Sequence, residues 1–199
     1  MPLTFAVTWD YRCPFARNAH EHVLDALADG ADWDVTFLPF SLGQVHVEEG
    51  QPDVWDNPDA DSGLLALQMG VAVRDTMPDR FLDAHRALFD HRHQHGGSLR
   101  DEQELANRLK SIGLDVDAVL AEVASGRPLA TIKDEHTRYA ASHHVWGVPT
   151  FIVGDQAAFV RLMNRPHGDA AVARSSIERV VDALQWSDLN ELKHTSIPR

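Results

Sequence analysis

The sequence predicts an α/β protein in which a β-α-β unit and a β-β-α unit flank a long helical insertion. Three observations predict it. An apolar, β-prone run at Leu3–Trp9 passes into a helix-like run behind Pro14 and then into a second apolar run at Val35–Phe40. From about Gly63 to His144 only helical periodicity appears. Strand patterning returns at Val148–Val153, ahead of a turn, another short run and a last amphipathic segment.

Each element has a local reason. Leu3–Trp9 is rich in β-branched and aromatic residues. The following helix, Pro14 to about Asp29, has Pro at its first position and Gly30 just past its end. Its apolar face is Ala16, Ala19, Val23, Ala26 and Leu27. A crossover of this length joins parallel strands. The segment 41–62 is polar and turn-rich. Five helical patterns follow, carried by Leu64–Val71, by Phe81–Phe89 behind Pro78, by Leu105–Ile112 ending at Gly113, by Val116–Val123 ending at Gly126, and by a run from Pro128 through Tyr139. Gly154-Asp155-Gln156 marks a turn between the strand Val148–Val153 and a partner at Ala158–Met163. Asp169 to Gln185 carries the last helical pattern. This order matches the thioredoxin layout with a helical insertion, although an unrelated α/β sandwich could share it. Residues 1–60 and 146–199 form the discontinuous thioredoxin-like domain and residues 61–145 the insertion.

Composition limits the function. The formal net charge is −12 over 199 residues. That argues against nucleic acid or an anionic membrane as partner, since both need basic patches. No apolar run approaches the ~18 residues of a membrane span. The N-terminus lacks the charged start and apolar core of a signal peptide, so a cytoplasmic location is expected. With one cysteine, no intrachain disulfide forms.

That cysteine, Cys13, stands directly before Pro14, where a strand passes into a helix. A helix N-terminus favours the thiolate, and Arg12 and Arg17 add positive charge, so the thiol is expected to be acid-shifted from its free value of about 8.5. His20 shares a helical face with Cys13. Val148-Pro149-Thr150 is the second notable motif, because a cis Pro149 would expose the Val148 backbone to an extended partner or thiol. Asp10 is a base or a turn cap, and Trp9 belongs to the core. His91, His93 and His95 alternate, but no Cys or clear carboxylate completes a metal set, and no metal is expected.

Asp10-Tyr11-Arg12-Cys13-Pro14-Phe15-Ala16, together with Gly147-Val148-Pro149-Thr150, resembles the DsbA-like thioredoxin superfamily. That group takes in FrnE-type proteins, kappa-class glutathione transferases, 2-hydroxychromene-2-carboxylate isomerases and mycothiol-dependent reductases. The resemblance covers nearly the whole chain, including the insertion and Ala158–Pro166. It implies that Cys13 is the nucleophile, that Pro14 opens its helix, and that Pro149 is the cis-proline. Arg12, Phe15, Ala16, Arg17, Val148 and Thr150 would then surround the substrate or thiol. If the insertion caps the Cys13 face, Trp55, His85 and His91 would line the cleft, with Gln44 and Asn57 nearby.

The departures narrow the chemistry. Dithiol members carry a second cysteine where Ala16 stands, so a mixed disulfide at Cys13 needs an external thiol to resolve it. The isomerases and kappa transferases generally have Ser at the Cys13 position. The expectation is a monothiol oxidoreductase or reductase using mycothiol or glutathione as co-substrate, acting on a disulfide or electrophile. A transferase or isomerase in which Cys13 activates a bound thiol is the second reading, and a non-catalytic binding module the third. Dimerisation is a mild expectation by analogy.

Overall fold

The computed structural model describes residues 2–189. Strand β1 (Leu3–Trp9) alternates so that Phe5, Val7 and Trp9 are all buried. It occupies the middle of a four-stranded sheet. β2 (Trp33–Pro39) runs parallel to it from Leu3↔Trp33 to Trp9↔Pro39. β3 (Thr150–Val153) pairs antiparallel on the other side, and β4 (Gln156–Phe159) closes the order β2-β1-β3-β4. β2 starts two residues before its apolar run, because Trp33 and exposed Asp34 still pair with the start of β1.

The crossover helix α1 (Pro14–Ala28) buries Ala16, Ala19, Val23 and Ala26. It stops at Gly30, whose φ of +80° lies in the left-handed region that glycine tolerates. A one-turn helix, α2 (Leu42–Val45), lies in the turn-rich segment, where four residues are too few to show periodicity. The Ser41 hydroxyl accepts from the Gln44 N–H at its start. A 3-10 turn follows at Pro58–Ala60.

Five helices then intervene between β2 and β3: α3 (Leu64–Thr76), α4 (Pro78–His93), α5 (Glu102–Ser111), α6 (Val116–Ala124) and α7 (Arg127–His143). Asp101 and Asp115 cap α5 and α6, and Pro78 and Pro128 stand in the first turns of α4 and α7. Helix α8 (Ala170–Gln185), capped by Asp169, packs on α1 and on β3 through Ala173, Ile177 and Val181.

Boundaries on the other side of β1 also differ from the sequence pattern. β3 starts at Thr150, leaving Val148 and Pro149 outside it, and β4 runs from Gln156, which pairs with Val153, to Phe159 instead of from Ala158 to Met163. The ladder has no further partner there. The Val160 N–H donates to the Pro149 carbonyl (3.0 Å), and the chain then turns to α1, where the Asn18 amide donates to the carbonyls of Leu162 (2.9 Å) and Met163 (3.1 Å).

The sheet meets the helical segment through aromatic side chains. Trp9, Tyr11, Phe37, Phe81 and Phe89 are buried together. Ring centroids lie 5.8 Å apart for Trp9–Phe81 and 4.8 Å for Tyr11–Phe89. On the same side, Arg74 of α3 donates to the Phe37 carbonyl and pairs with Glu135 of α7 at 2.9 Å. The end of β1, where the chain delivers Cys13, is therefore packed against the helical segment.

Candidate active site around Cys13

Cys13 is the N-cap of α1, in extended backbone (φ −88°, ψ 117°). Pro14 at the first helical position costs no hydrogen bond, since that N–H lies outside the helical ladder. The Ala16 N–H donates to the Cys13 Sγ at 3.4 Å, so the sulfur fills the role that a Ser or Asp oxygen plays in other caps. On its other side the thiol donates to the Val148 carbonyl at 3.3 Å, across 135 positions of sequence. The Val148–Pro149 peptide bond is cis. Cys13 is half-buried, and Pro14 beside it is exposed.

The loop carrying Val148 is tied down by threonines. The Thr150 N–H donates to the Thr8 Oγ1 (2.8 Å), and the hydroxyls of Thr8 and Thr150 reach the Gly147 carbonyl (3.3 and 2.8 Å). One edge of the site is apolar. Trp146, 62% exposed, packs on Phe159 with ring centroids 4.6 Å apart, and the Arg161 guanidinium stands 4.7 Å from the Phe15 ring.

The electrostatics differ from the acid shift expected at a helix N-terminus. Burial pushes the Cys13 thiol above its ordinary value. The Ala16 and Phe15 N–H groups pull it down, the Asp10 carboxylate adds to the rise, and Arg161 opposes it. The hydrogen bond to Val148 also favours the protonated form. In its resting state the sulfur is a thiol that donates.

Neither arginine expected to support the thiolate does so. Arg12 is clamped by Asp10 (Nη2–Oδ2 2.7 Å) and Asp61 (Nη1–Oδ2 3.1 Å). Arg17 pairs with Glu21 at 2.8 Å and Asp90 at 2.9 Å, locking α1 to α4. Asp10 also accepts from the Leu42 N–H at 2.8 Å, so it organises the Arg12 loop and is not placed as a base.

The other expected site residues separate. His85 is fully buried, with its Nδ1 2.8 Å from the Tyr11 hydroxyl, and does not line a cleft. His20 is buried beside it, its Nε2 3.0 Å from the Thr8 carbonyl, and not on the Cys13 surface. Trp55 packs against His136 (centroids 5.6 Å apart) inside the core, Gln44 bonds Asp53 and Val54, and Asn57 precedes the 3-10 turn. His91 does line an open cavity, together with Arg12. The alternating histidines diverge, His91 donating to the Ser98 carbonyl (3.0 Å) and His93 to that of Tyr11 (2.8 Å).

Sequence reasoning missed Thr8 and Arg161. Thr8 is one of two threonines in its strand, and nothing local sets it apart from Thr4. Arg161 had no signal either, because the pattern placed it in a strand that ends two residues earlier.

The DSBA-like thioredoxin domain model matches residues 6–166. No curated protein sequence matches the chain. Among solved structures, the cytosolic disulfide reductase DsbM from Pseudomonas aeruginosa with GSH is similar at 14% identity and a TM-score of 0.61, over 90% of this chain and 100% of that one. A 2-hydroxychromene-2-carboxylate isomerase is similar at 16% identity and a TM-score of 0.63, over 95% and 100%. Pseudomonas aeruginosa DsbA is similar at 19% identity and a TM-score of 0.59, over 92% and 86%.

Proposed function

The chain belongs to the DSBA-like thioredoxin domain family, and within it we propose a single-cysteine thiol-disulfide oxidoreductase that uses a low-molecular-weight thiol. The observation that carries this reading is the Cys13 Sγ held 3.3 Å from the Val148 carbonyl while remaining half-exposed. Such a sulfur can be reached by a small disulfide, and the Val148 backbone offers that disulfide a polar edge to pair with.

The exchange balances without a metal or redox cofactor. The Cys13 sulfur, on losing its proton, attacks one sulfur of a disulfide, forms a mixed disulfide and expels a thiolate, which takes up a proton. Ala16 occupies the position of a second thiol, so an external thiolate attacks the mixed disulfide. A new disulfide leaves and the Cys13 thiolate is regenerated. Glutathione or mycothiol fits the external role, and the GSH named with the DsbM structure supports the class.

A second reading is favoured by the thiol's resting state. A protonated Cys13 that donates a hydrogen bond can equally support the thiolate of a bound glutathione-like molecule, as a transferase or isomerase requires. The similarity to an isomerase supports it. The test is Cys13→Ser assayed with glutathione and mycothiol against disulfide and electrophilic substrates. Complete loss, together with a mass-shifted adduct on the wild-type cysteine, supports exchange. Surviving activity supports the second reading, because a serine hydroxyl still donates.

A further inference from the structure

An open cavity of about 930 Å³ lies where the ends of α4 and α5 meet the loop 95–100. Four arginines line it, Arg12, Arg92, Arg100 and Arg108, against one carboxylate, Glu104. Arg92 comes from the last turn of α4, Arg100 from the loop before α5, and Arg108 from α5 itself. Among the described residues, none of these three pairs with a carboxylate. Arg92 donates to the Gly97 carbonyl at 3.3 Å, Arg108 to the Ala87 carbonyl at 3.2 Å, and no side-chain bond is formed by Arg100. Glu104 is already engaged, accepting from the Ser98 N–H at 2.9 Å and lying 3.5 Å from the His91 Nε2.

The chain as a whole is strongly acidic, at −12. Arginines converging without acidic partners therefore run against its average. The negative end of the α4 dipole accounts for Arg92, but not for Arg100 or Arg108. The loop packs closely on α4, since a Cβ on Gly97 would lie 2.1 Å from the His91 ring, and Arg12 is packed as closely on Gly63, where a Cβ would lie 2.7 Å from its Nε. Arg12 reaches this cavity from the residue next to the nucleophile, but Asp10 and Asp61 already meet its charge, so the positive charge on offer is that of Arg92, Arg100 and Arg108.

We propose that this cavity is a binding site for a multiply charged oxyanion, a phosphoryl or polycarboxylate group. Planar guanidinium groups match such groups with paired hydrogen bonds. The side chains are partly exposed, so a single charge is screened and several are needed to hold the ligand. Binding does not depend on the reaction at Cys13.

Isothermal titration with pyrophosphate and with citrate, at low and at raised salt, tests this on the full chain. At least one probe should bind saturably and weaken as salt rises. Arg100→Gln and Arg108→Gln should each weaken it about tenfold, with circular dichroism unchanged, while Cys13→Ser binds normally. Pyrophosphate alone identifies a phosphoryl group, and citrate alone a polycarboxylate. No saturable binding of either probe, or binding indifferent to both arginine variants, overturns the proposal and leaves the reading of Cys13 untouched.

Discussion

The Nε2 of His85 on α4 lies 2.9 Å from the Nδ1 of His20 on α1, and this contact assigns every proton in a buried chain. The Thr8 carbonyl only accepts, so His20 carries its proton on Nε2 and accepts on Nδ1. His85 must then donate through Nε2 and accept from the Tyr11 hydroxyl through Nδ1. Both rings are neutral. Burial lowers His20 to about 4 and His85 well below its ordinary value, and raises Tyr11 well above its own.

Acid stability follows with a definite sign. Between about 6.5 and 4 the unfolded chain binds protons on these histidines that the folded chain does not. Stability should therefore fall as pH falls through that window, by up to about 1.4 kcal/mol per pH unit for each proton. Burial also lowers His136, to about 4, which adds to the slope. Urea unfolding at pH 7, 6 and 5 measures it. A His20→Phe/His85→Phe variant should show a shallower slope, and a slope equal to wild type would refute the assignment.

The reactivity of Cys13 has its own pH signature. Its iodoacetamide alkylation midpoint should lie above that of a free thiol, about 8.5. Arg161→Gln should move the midpoint further up, because the guanidinium opposes the rise. Asp10→Asn should move it down. An acid-shifted midpoint in the wild type would contradict this electrostatic picture.

Thr8→Val removes the hydroxyl that accepts from the Thr150 N–H and donates to Gly147. A buried N–H is left without its partner, at a cost of about 1–3 kcal/mol. The loss should appear as a lower melting temperature and faster hydrogen exchange at Thr150.

Gly70 meets Tyr11 so closely that an added Cβ would lie 2.4 Å from its hydroxyl. Gly70→Ala should therefore destabilise by about 1–3 kcal/mol despite alanine's better helix propensity. Thermal melts of the variant beside Gly113→Ala, where the cost comes from a φ of +78° instead, separate crowding from backbone strain.

Elements with a full period of apolar residues were legible in the sequence. β1 spans Leu3–Trp9 as read, and α1 starts at Pro14 because cap, proline and apolar face agree there. The short pieces were not. α2 has one turn, and β4 loses its pairing partner at Pro149, which no local pattern near Val160 records. At the site, the proximity of Cys13 to Val148 was legible from two motifs, but the fate of the charges was not. Arg12 and Arg17 look like support for a thiolate until Asp61 and Asp90 are placed beside them, from 49 and 73 residues away. His85 reads as a polar residue near a cleft, and only the fold surrounds it with Trp9, Phe37 and Phe81.

Tyr11, Arg12 and Cys13 are successive residues with three separate attachments: a histidine on α4, the Asp61 loop and the Val148 carbonyl. Three neighbouring side chains thus tie one short stretch of backbone to α4, to the Asp61 loop and to the cis-proline loop. The sulfur therefore inherits its position from elements far apart in the chain, and a substitution at His85 on α4 should be felt at the thiol through Tyr11.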